Sequence, residues 1–180
     1  MIPDASWPPG REAPRRLERA RRFLNTTNRE NGADHLGEPI RAARWLAGEG
    51  WAVHPSAAGL VELRRFRDGL YELVRQRWAA PWPSIVDSVQ LGVNRDAEAV
   101  HLVGVGDGVE RIVGDVLGII LEARLDGSLD RLRVCDHCHW SYYDRSRNGG
   151  GHWCSMGTCG QREKMRRYRA RRRAGAAVAH

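Results

Sequence analysis

The sequence predicts a mainly α-helical N-terminal domain with one small β-hairpin, followed by a short cysteine-rich unit. Two observations predict the first domain: several segments carry apolar residues at helical spacing, and one stretch alternates between apolar and polar residues. A third observation predicts the second unit, since all four cysteines of the 180-residue chain lie between Cys135 and Cys159. We divide the chain into a flexible start (1–12), a helical domain (13–128), a cysteine-rich unit (131–173) and a flexible tail (174–180).

Two helices are predicted before residue 51. In the first, which we expect to start near Ala13, Leu17 and Leu24 occur at helical spacing, and the pattern ends in the turn-rich stretch NTTNRENG. In the second, GEPIRAARWLAGEG, Pro39 suits the first helical turn and a glycine suits the end.

The longest helical pattern runs over residues 54–83 and ends at Pro81 and Pro83. Arg67 lies within its apolar stripe, between Leu63 and Leu70. A buried arginine needs a carboxylate, a carbonyl or a bound anion as its partner. Two interpretations of Arg67 stay open: a structural salt bridge or snorkelling at the edge of the stripe, which we favour, and contact with a ligand.

A β-hairpin and a central helix complete the predicted domain. Apolar residues alternate on both sides of a polar break over residues 89–102, which is typical of two short antiparallel strands. The segment DGVERIVGDVLGIILEARLDG follows and is apolar nearly all round, as a buried helix is. Asp107 suits the N-cap of this helix and Gly127 its C-terminal end.

The charge of the chain is concentrated at one end. With 42% hydrophobic and 28% charged residues the composition is typical of a globular protein, and the net charge is +7. Residues 161–180 hold eight basic residues and one acidic residue, so the rest of the chain is neutral. A neutral body with a cationic tip favours binding to a polyanion, and a solvated basic tail is the alternative.

The sequence also excludes some classes of protein. No stretch approaches the roughly 18 apolar residues that a membrane span needs, so we expect no contact with a membrane. The start, MIPDASWPPGREAPRR, lacks the apolar region of a signal peptide. We therefore expect a cytoplasmic protein.

The cysteines have the spacing of a zinc site. Cys135-x2-Cys138 is followed, after fifteen residues, by Cys154-x4-Cys159. Grouped cysteines in a reducing cytoplasm bind metal more often than they form disulfides, and a metal-free cluster is the alternative. Four thiolates leave no open coordination position, so we expect one structural Zn²⁺ held by all four cysteines. Three nearby histidines are alternative ligands: His137, His139 and His152.

The predicted fold of this unit is a four-cysteine zinc finger of the knuckle–hairpin–helix type. We expect two short strands around RNGGG and then a helix after Cys159, since the run GQREKMRRYRARRR has no helix breaker. Met165 and Tyr168 are expected to face the knuckle, whereas the basic side chains are expected to bind nucleic acid. These candidate contacts are Arg162, Lys164, Arg166, Arg167, Arg169, Arg171 and Arg173.

The motif C-x2-C…D-R-S-R-N…W-C-S-M-x2-C-G-Q-R-x-K-x-R-x-Y-R-x-R resembles the CGNR zinc-finger family of bacterial proteins. Upstream, FLNT, RAARWLAGEG and LRRFRDGLYELV are similar to elements of the ABATE domain, a stress-induced transcription regulator domain that usually precedes this finger. Two departures stand out. The family's Cys-Gly-Asn-Arg reads Cys-Gly-Gln161-Arg162 here, and residues 149–152 are less basic than is common, which shifts the expected contacts to Arg162 and the following helix.

These observations support a DNA-binding transcriptional regulator whose N-terminal domain senses an effector or a partner. A single small finger reads few bases, so we expect specific binding to need a homodimer or further contacts. The alternative is a ligand-binding or enzymatic N-terminal domain, with the finger as a structural staple or a protein-docking module. RNA or an acidic protein is the alternative partner of the arginines.

Asn25 and Arg67 are the candidate residues of an effector pocket for a small molecule. The other polar candidates in this domain are His35, His54 and His101. None of these residues forms a nucleophile–base or carboxylate pair at a recognisable spacing, so the sequence favours binding over catalysis.

Overall fold

The computed structural model describes residues 5–97 and 99–177, with side chains up to residue 173. Its helical body contains three helices, a hairpin and a fourth helix: α1 (Leu17–Leu24), α2 (Pro39–Gly48), α3 (Ala57–Arg75), β1 (Leu91–Arg95), β2 (Val100–Gly104) and α4 (Gly108–Leu125). A second unit, here called the finger, follows with β3 (Leu132–Val134), β4 (Ser141–Tyr143) and α5 (Gln161–Ala177). The predicted fold class, mainly α with a small hairpin and a C-terminal cysteine finger, is confirmed.

Local sequence signals set the ends of the helices. Pro39 occupies the first turn of α2, and the hydroxyl of Ser56 accepts a hydrogen bond from the Gly59 amide at the start of α3. Asp107 occupies the N-cap position of α4 without a side-chain capping bond. Beyond α4, Gly127 has a φ of 76°, a conformation that glycine adopts without strain.

Helix α4 forms the centre of the helical body. It is buried along most of its length and packs against α1, α3 and β2. The hairpin lies very close to it, because a Cβ atom on Gly114 would stand 2.4 Å from the Cα atom of Gly104. A Cβ atom on Gly118 would stand 2.6 Å from the Leu102 carbonyl oxygen. These glycines therefore allow the backbones of β2 and α4 to meet directly.

The finger shares its core with the helical body. Leu132 of β3 is buried in the same cluster as the side chains of α1, α3 and α4, and Val134 and Tyr143 pack against that cluster. The Tyr143 amide also donates a hydrogen bond of 3.0 Å to the Arg11 carbonyl. The cysteines form a second, smaller cluster with Trp140 and Tyr142.

The two ends of the chain lie partly outside the described residues. Of the start that the sequence predicts to be flexible, residues 1–4 are outside, whereas the carbonyls of Ser6 and Trp7 accept hydrogen bonds from Arg21. Of the predicted flexible tail, residues 178–180 are outside, and the helical backbone of α5 continues to Ala177. In the part of the chain that is described, no helix is long and apolar enough to cross a membrane.

Candidate metal centre and basic helix

The four cysteines meet at one buried point. Their Sγ atoms all lie within 4.8 Å of one another, and the Cys138–Cys154 and Cys154–Cys159 sulfur pairs are each 3.6 Å apart. A disulfide would need about 2.05 Å between sulfurs. Four Zn–S bonds of about 2.3 Å in a tetrahedron place the sulfurs about 3.8 Å apart. The spacing therefore fits one zinc ion.

Two tight turns bring the cysteines together. After β3, the Cys135 amide donates to the Trp140 carbonyl and the Cys135 carbonyl accepts from the His139 amide, both at 3.0 Å. This closes the first turn and points Cys135 and Cys138 toward one point. The second turn is a short π-helical segment, Met156–Gly160, which carries Cys159. A Cβ atom on Gly160 would lie only 3.0 Å from the Met156 sulfur, so this position favours glycine.

The thiols influence one another's ionisation. Hydrogen bonds from Cys138 and Cys154 lower the pKa of Cys135. The bond to Cys135 raises the pKa of Cys138 to about 12, and the bonds to Cys135 and Cys138 raise the pKa of Cys154. These bonds therefore stabilise the Cys135 thiolate at the expense of the Cys138 and Cys154 thiolates. A divalent cation is what allows all four to ionise.

Cysteine ligation agrees with the placement of the histidine side chains. His152 is exposed, and its Nδ1 lies 3.0 Å from the Asp136 carboxylate. Among the described residues, only the four cysteines bring three or more metal-binding side chains together. These cysteines could hold one zinc ion, which would supply a cross-link with no open coordination position.

The hairpin of the finger differs from the sequence prediction. Strands β3 and β4 flank the first cysteine pair, with Val134 opposite Ser141, so the prediction of two strands around RNGGG was wrong. The RNGGG segment is a loop because the Asp144 carboxylate accepts the amides of Ser146 (2.9 Å) and Gly151 (2.7 Å). Those two bonds fold the loop over Asp144, and β4 pairs with β3 instead of with a strand after the loop.

Helix α5 projects from the finger. It packs mainly against the π-helical turn before it. Met165 and Tyr168 are 44% and 47% exposed, so neither is buried against the knuckle, although Met165 lines a groove together with His137 of the first cysteine turn. The basic residues predicted to bind nucleic acid are all exposed: Arg162, Lys164, Arg166, Arg167, Arg169, Arg171 and Arg173.

Four of these arginines line one groove, here called the basic groove. They occur at the helical spacing i, i+4, i+7 and i+11, and they share the groove of about 860 Å³ with His137 and Gln161. The four are Arg162, Arg166, Arg169 and Arg173. The other basic side chains of α5 lie elsewhere around the helix.

Glu163 is the one acidic residue of α5 and it is 8% exposed. Its carboxylate accepts two hydrogen bonds from Arg166, at 2.7 and 2.8 Å, and one from Arg167 at 2.9 Å. These bonds lower the pKa of Glu163 to about 2. Glu163 therefore holds two of the candidate DNA contacts against the helix.

Asn25, which the sequence placed in an effector pocket, joins the two units. Its Nδ2 donates to the carbonyls of Trp7 (3.0 Å) and Ser141 (2.9 Å), and its Oδ1 accepts from the Ser141 amide at 2.8 Å. Arg21 is fully buried beside it and donates to the same two carbonyls. The FLNT motif thus holds strand β4 of the finger, a role that the sequence pattern did not signal.

Arg67, the second candidate for the effector pocket, is 3% exposed. Its guanidinium lies 2.7 Å from the Asp34 carboxylate and 3.1 Å from that of Asp68, and it donates to the Thr26 hydroxyl at 3.1 Å. These are the contacts of a structural salt bridge. Neither Asn25 nor Arg67 lines the large cleft of the helical body.

Sequence reasoning did not predict that cleft, although two of its polar candidates, His54 and His101, line it. It measures about 1540 Å³ and lies between α1, residues 50–54, the β1–β2 hairpin and α4. Its walls include Arg19, Trp51 and Asp115, which are far apart in the sequence, so no local motif marks them.

Two family models match the chain. The CGNR zinc finger matches residues 131–172. The ABATE model, described as "Putative stress-induced transcription regulator", matches residues 11–115, which is more than half of the chain. No curated protein matches the chain.

Proposed function

The chain belongs to the ABATE family and carries a CGNR zinc finger, and from this we propose that it is a bacterial, cytoplasmic transcriptional regulator that binds DNA. In this proposal the finger binds DNA and the helical body senses an effector or a partner. The zinc centre is structural, and its task is to fix the direction of α5.

The observation that carries the proposal is the exposure of α5. The helix projects from an otherwise neutral chain, and its exposed basic residues follow directly on the zinc centre that anchors it. From Arg162 to Arg173 the basic groove spans roughly 16 Å along the helix axis. An α-helix fits the major groove of DNA, which is about 12 Å wide, with arginines reaching phosphates on either side.

Gln161 is part of the proposed contact surface. It is the first residue of α5, is exposed and lines the basic groove, whereas the adjacent Gly160 is buried against Trp153 and Met156. The extra methylene of glutamine relative to the family's asparagine therefore extends toward the DNA side and leaves the cysteine cluster unchanged.

Specific binding is proposed to require a homodimer. A single projecting helix of this length contacts one half-site, and regulators of this kind gain specificity by pairing two half-sites. The contacts of the finger with α1 would pass a change in the helical body on to the DNA-binding helix.

A selection from random duplex DNA tests the proposal. We expect the full zinc-loaded chain to enrich a DNA site, and the Arg166→Ala/Arg169→Ala variant to bind the enriched site about tenfold or more weakly in low salt. Arg44→Ala is the matched control, because Arg44 is exposed on α2, far along the chain from α5. If no DNA is retained at low salt while RNA or an acidic protein is, the proposed function is wrong.

A further inference from the structure

The large cleft of the helical body contains an arginine whose hydrogen-bonding capacity is not filled. The guanidinium carbon of Arg19 lies 3.7 Å from the ring centroid of Trp51, so the two groups stack. The Nε atom of Arg19 is buried and has no hydrogen-bond partner among the described residues. One terminal nitrogen lies beside Gly50 at the cleft wall, 3.6 Å from where a Cβ atom would be. Arg19 is therefore a cation at the edge of the cleft with an unused N–H donor.

The described carboxylates near Arg19 already have other donors. The Oδ2 atom of Asp115 accepts a hydrogen bond from the Trp51 indole, and its Oδ1 atom accepts one from the Gly104 amide, both at 2.8 Å. Glu49 pairs with Arg22 at 2.5 Å. Burial lowers the pKa of Arg19, with the attraction of Asp115 and Glu49 opposing that shift. The guanidinium remains charged in proteins, and its buried Nε donor is not used by either of these carboxylates.

The three other arginines that line the cleft have carboxylate partners. The exposed Arg15 lies 3.9 Å from Asp126. The Nη1 atom of Arg16 donates to both carboxylate oxygens of Glu122, at 2.7 and 2.9 Å, and Arg111 lies 3.5 Å from Asp115. Those pairs hold the wall of the cleft, because Glu122 also accepts the Leu102 amide of β2 at 2.6 Å. Arg19 is thus the arginine of the cleft whose Nε donor lacks a hydrogen-bond partner among the described residues, and the packing of β2 on α4 holds the neighbouring wall in place.

We propose that this cleft binds a small organic oxyanion, a carboxylate or a phosphate ester, whose charged group pairs with Arg19. Arginine favours such groups because its planar fork offers two parallel donors to two oxygens. The cleft volume of about 1540 Å³ exceeds that of a typical small-molecule site, so an anion of metabolite size enters it. The apolar body of the ligand lies against Val53, Val103 and Ile119.

The position of Arg19 links this site to the finger. Helix α1 carries Arg19 on the cleft and, two residues later, Arg21, which donates to the Ser141 carbonyl of β4. Asn25 directly follows α1 and binds the same strand. A regulatory role for the anion rests on the proposed function, whereas its binding does not.

Binding is tested on the full zinc-loaded chain without DNA. The probes are benzoate, phenyl phosphate and their neutral counterpart benzamide, and the readout is the indole N–H resonance of Trp51, assigned with Trp51→Phe. We expect at least one anion to shift that resonance, with benzamide binding about tenfold or more weakly. The tighter of the two anions identifies the headgroup as carboxylate or phosphate.

Variants at Arg19 decide whether this residue holds the anion. Arg19→Met keeps the apolar stem on Trp51 and is expected to weaken binding about tenfold to hundredfold, whereas Arg19→Lys keeps the charge and part of the affinity. Arg44→Ala is expected to bind like the unchanged protein.

Three results overturn the proposal: no shift with either anion in the millimolar range, equal binding of benzamide, or unchanged binding by Arg19→Met. DNA binding is measured separately on the same variants without anion. A finger that fails to bind DNA would therefore refute the proposed function and leave the cleft proposal standing.

Discussion

At the scale of single residues, one buried amide links the two units of the protein. Asn25 is 2% exposed and bonds to both the amide and the carbonyl of Ser141 in β4. The two carbonyls that Asn25 contacts also accept hydrogen bonds from Arg21, whereas the Ser141 amide donates to Asn25. The Ser141 amide is therefore the group that depends on Asn25.

We predict that Asn25→Ala destabilises the protein by about 1–3 kcal/mol, because it leaves the buried Ser141 amide without its acceptor. Chemical denaturation of the zinc-loaded chain measures this loss. Asn94→Ala, at an exposed position of β1, is the matched control and is expected to change stability by less than about 0.5 kcal/mol. Equal stability of the two variants would show that Asn25 does not hold the finger.

The predictability of a residue's role depended on how local its partners are. The four cysteines were identifiable from the sequence because short turns bring each pair together. Asn25 and Arg19 were not, because Asn25 meets Ser141 and Arg19 stacks on Trp51, and both partners lie far away in the sequence. The family's FLNT motif marked Asn25 as notable but gave no indication of its partner.

At the scale of elements, α5 carries its own internal restraint. Glu163 binds Arg166 and Arg167 on the helix surface. Those bonds depress the pKa of Glu163 from 4.5 to about 2. Their contribution to the stability of the folded protein is therefore complete above pH 4.5 and is lost as the pH falls through about 2. Both arginines are thus held by Glu163 at neutral pH.

We predict that Glu163→Gln strengthens DNA binding. The change removes the one negative charge of α5, frees Arg166 and Arg167, and is expected to steepen the salt dependence by up to about one unit. Fluorescence anisotropy with a labelled duplex over a series of salt concentrations measures both effects. Weaker binding by this variant would instead indicate that Glu163 orients the two arginines for the phosphates.

Helices and strands were predictable where the sequence carries strong local signals. Pro39 and the prolines after α3 predicted helix ends, and alternation predicted the β1–β2 hairpin. The strands of the finger were misplaced because each has only three residues, too few for alternation to be seen. The bonds of Asp144 that make RNGGG a loop are tertiary details of the same kind.

At the scale of the whole molecule, the shared core makes the finger part of the helical body. Leu132 is 1% exposed and lies in the main cluster, and β3 contacts α3. Unfolding the finger would therefore uncover apolar surface on the helical body. The zinc centre is expected to stabilise residues far beyond the four cysteines.

We predict that chelation of zinc lowers the melting temperature of the entire chain in a single transition. Calorimetry with and without a strong chelator measures this shift, because metal that binds only the folded state adds its binding free energy to stability. Cys154→Ser is the matched variant. It is expected to melt at the lower temperature, and the chelator is expected to leave its melting temperature unchanged. A separate transition that zinc leaves unchanged would show that the two units fold independently.

We propose that a zinc-anchored arginine helix binds the DNA backbone. The most direct test is the salt dependence of duplex affinity for the zinc-loaded chain and for a variant with Arg162, Arg166, Arg169 and Arg173 changed to Ala. We predict that the slope of log affinity against log salt becomes shallower by about one unit for each arginine that meets a phosphate. The Arg44→Ala/Arg65→Ala variant, with two exposed changes on α2 and α3, is expected to keep the full slope. An unchanged slope in the four-arginine variant with zinc still bound, or no DNA binding by the intact chain at low salt, would contradict the claim.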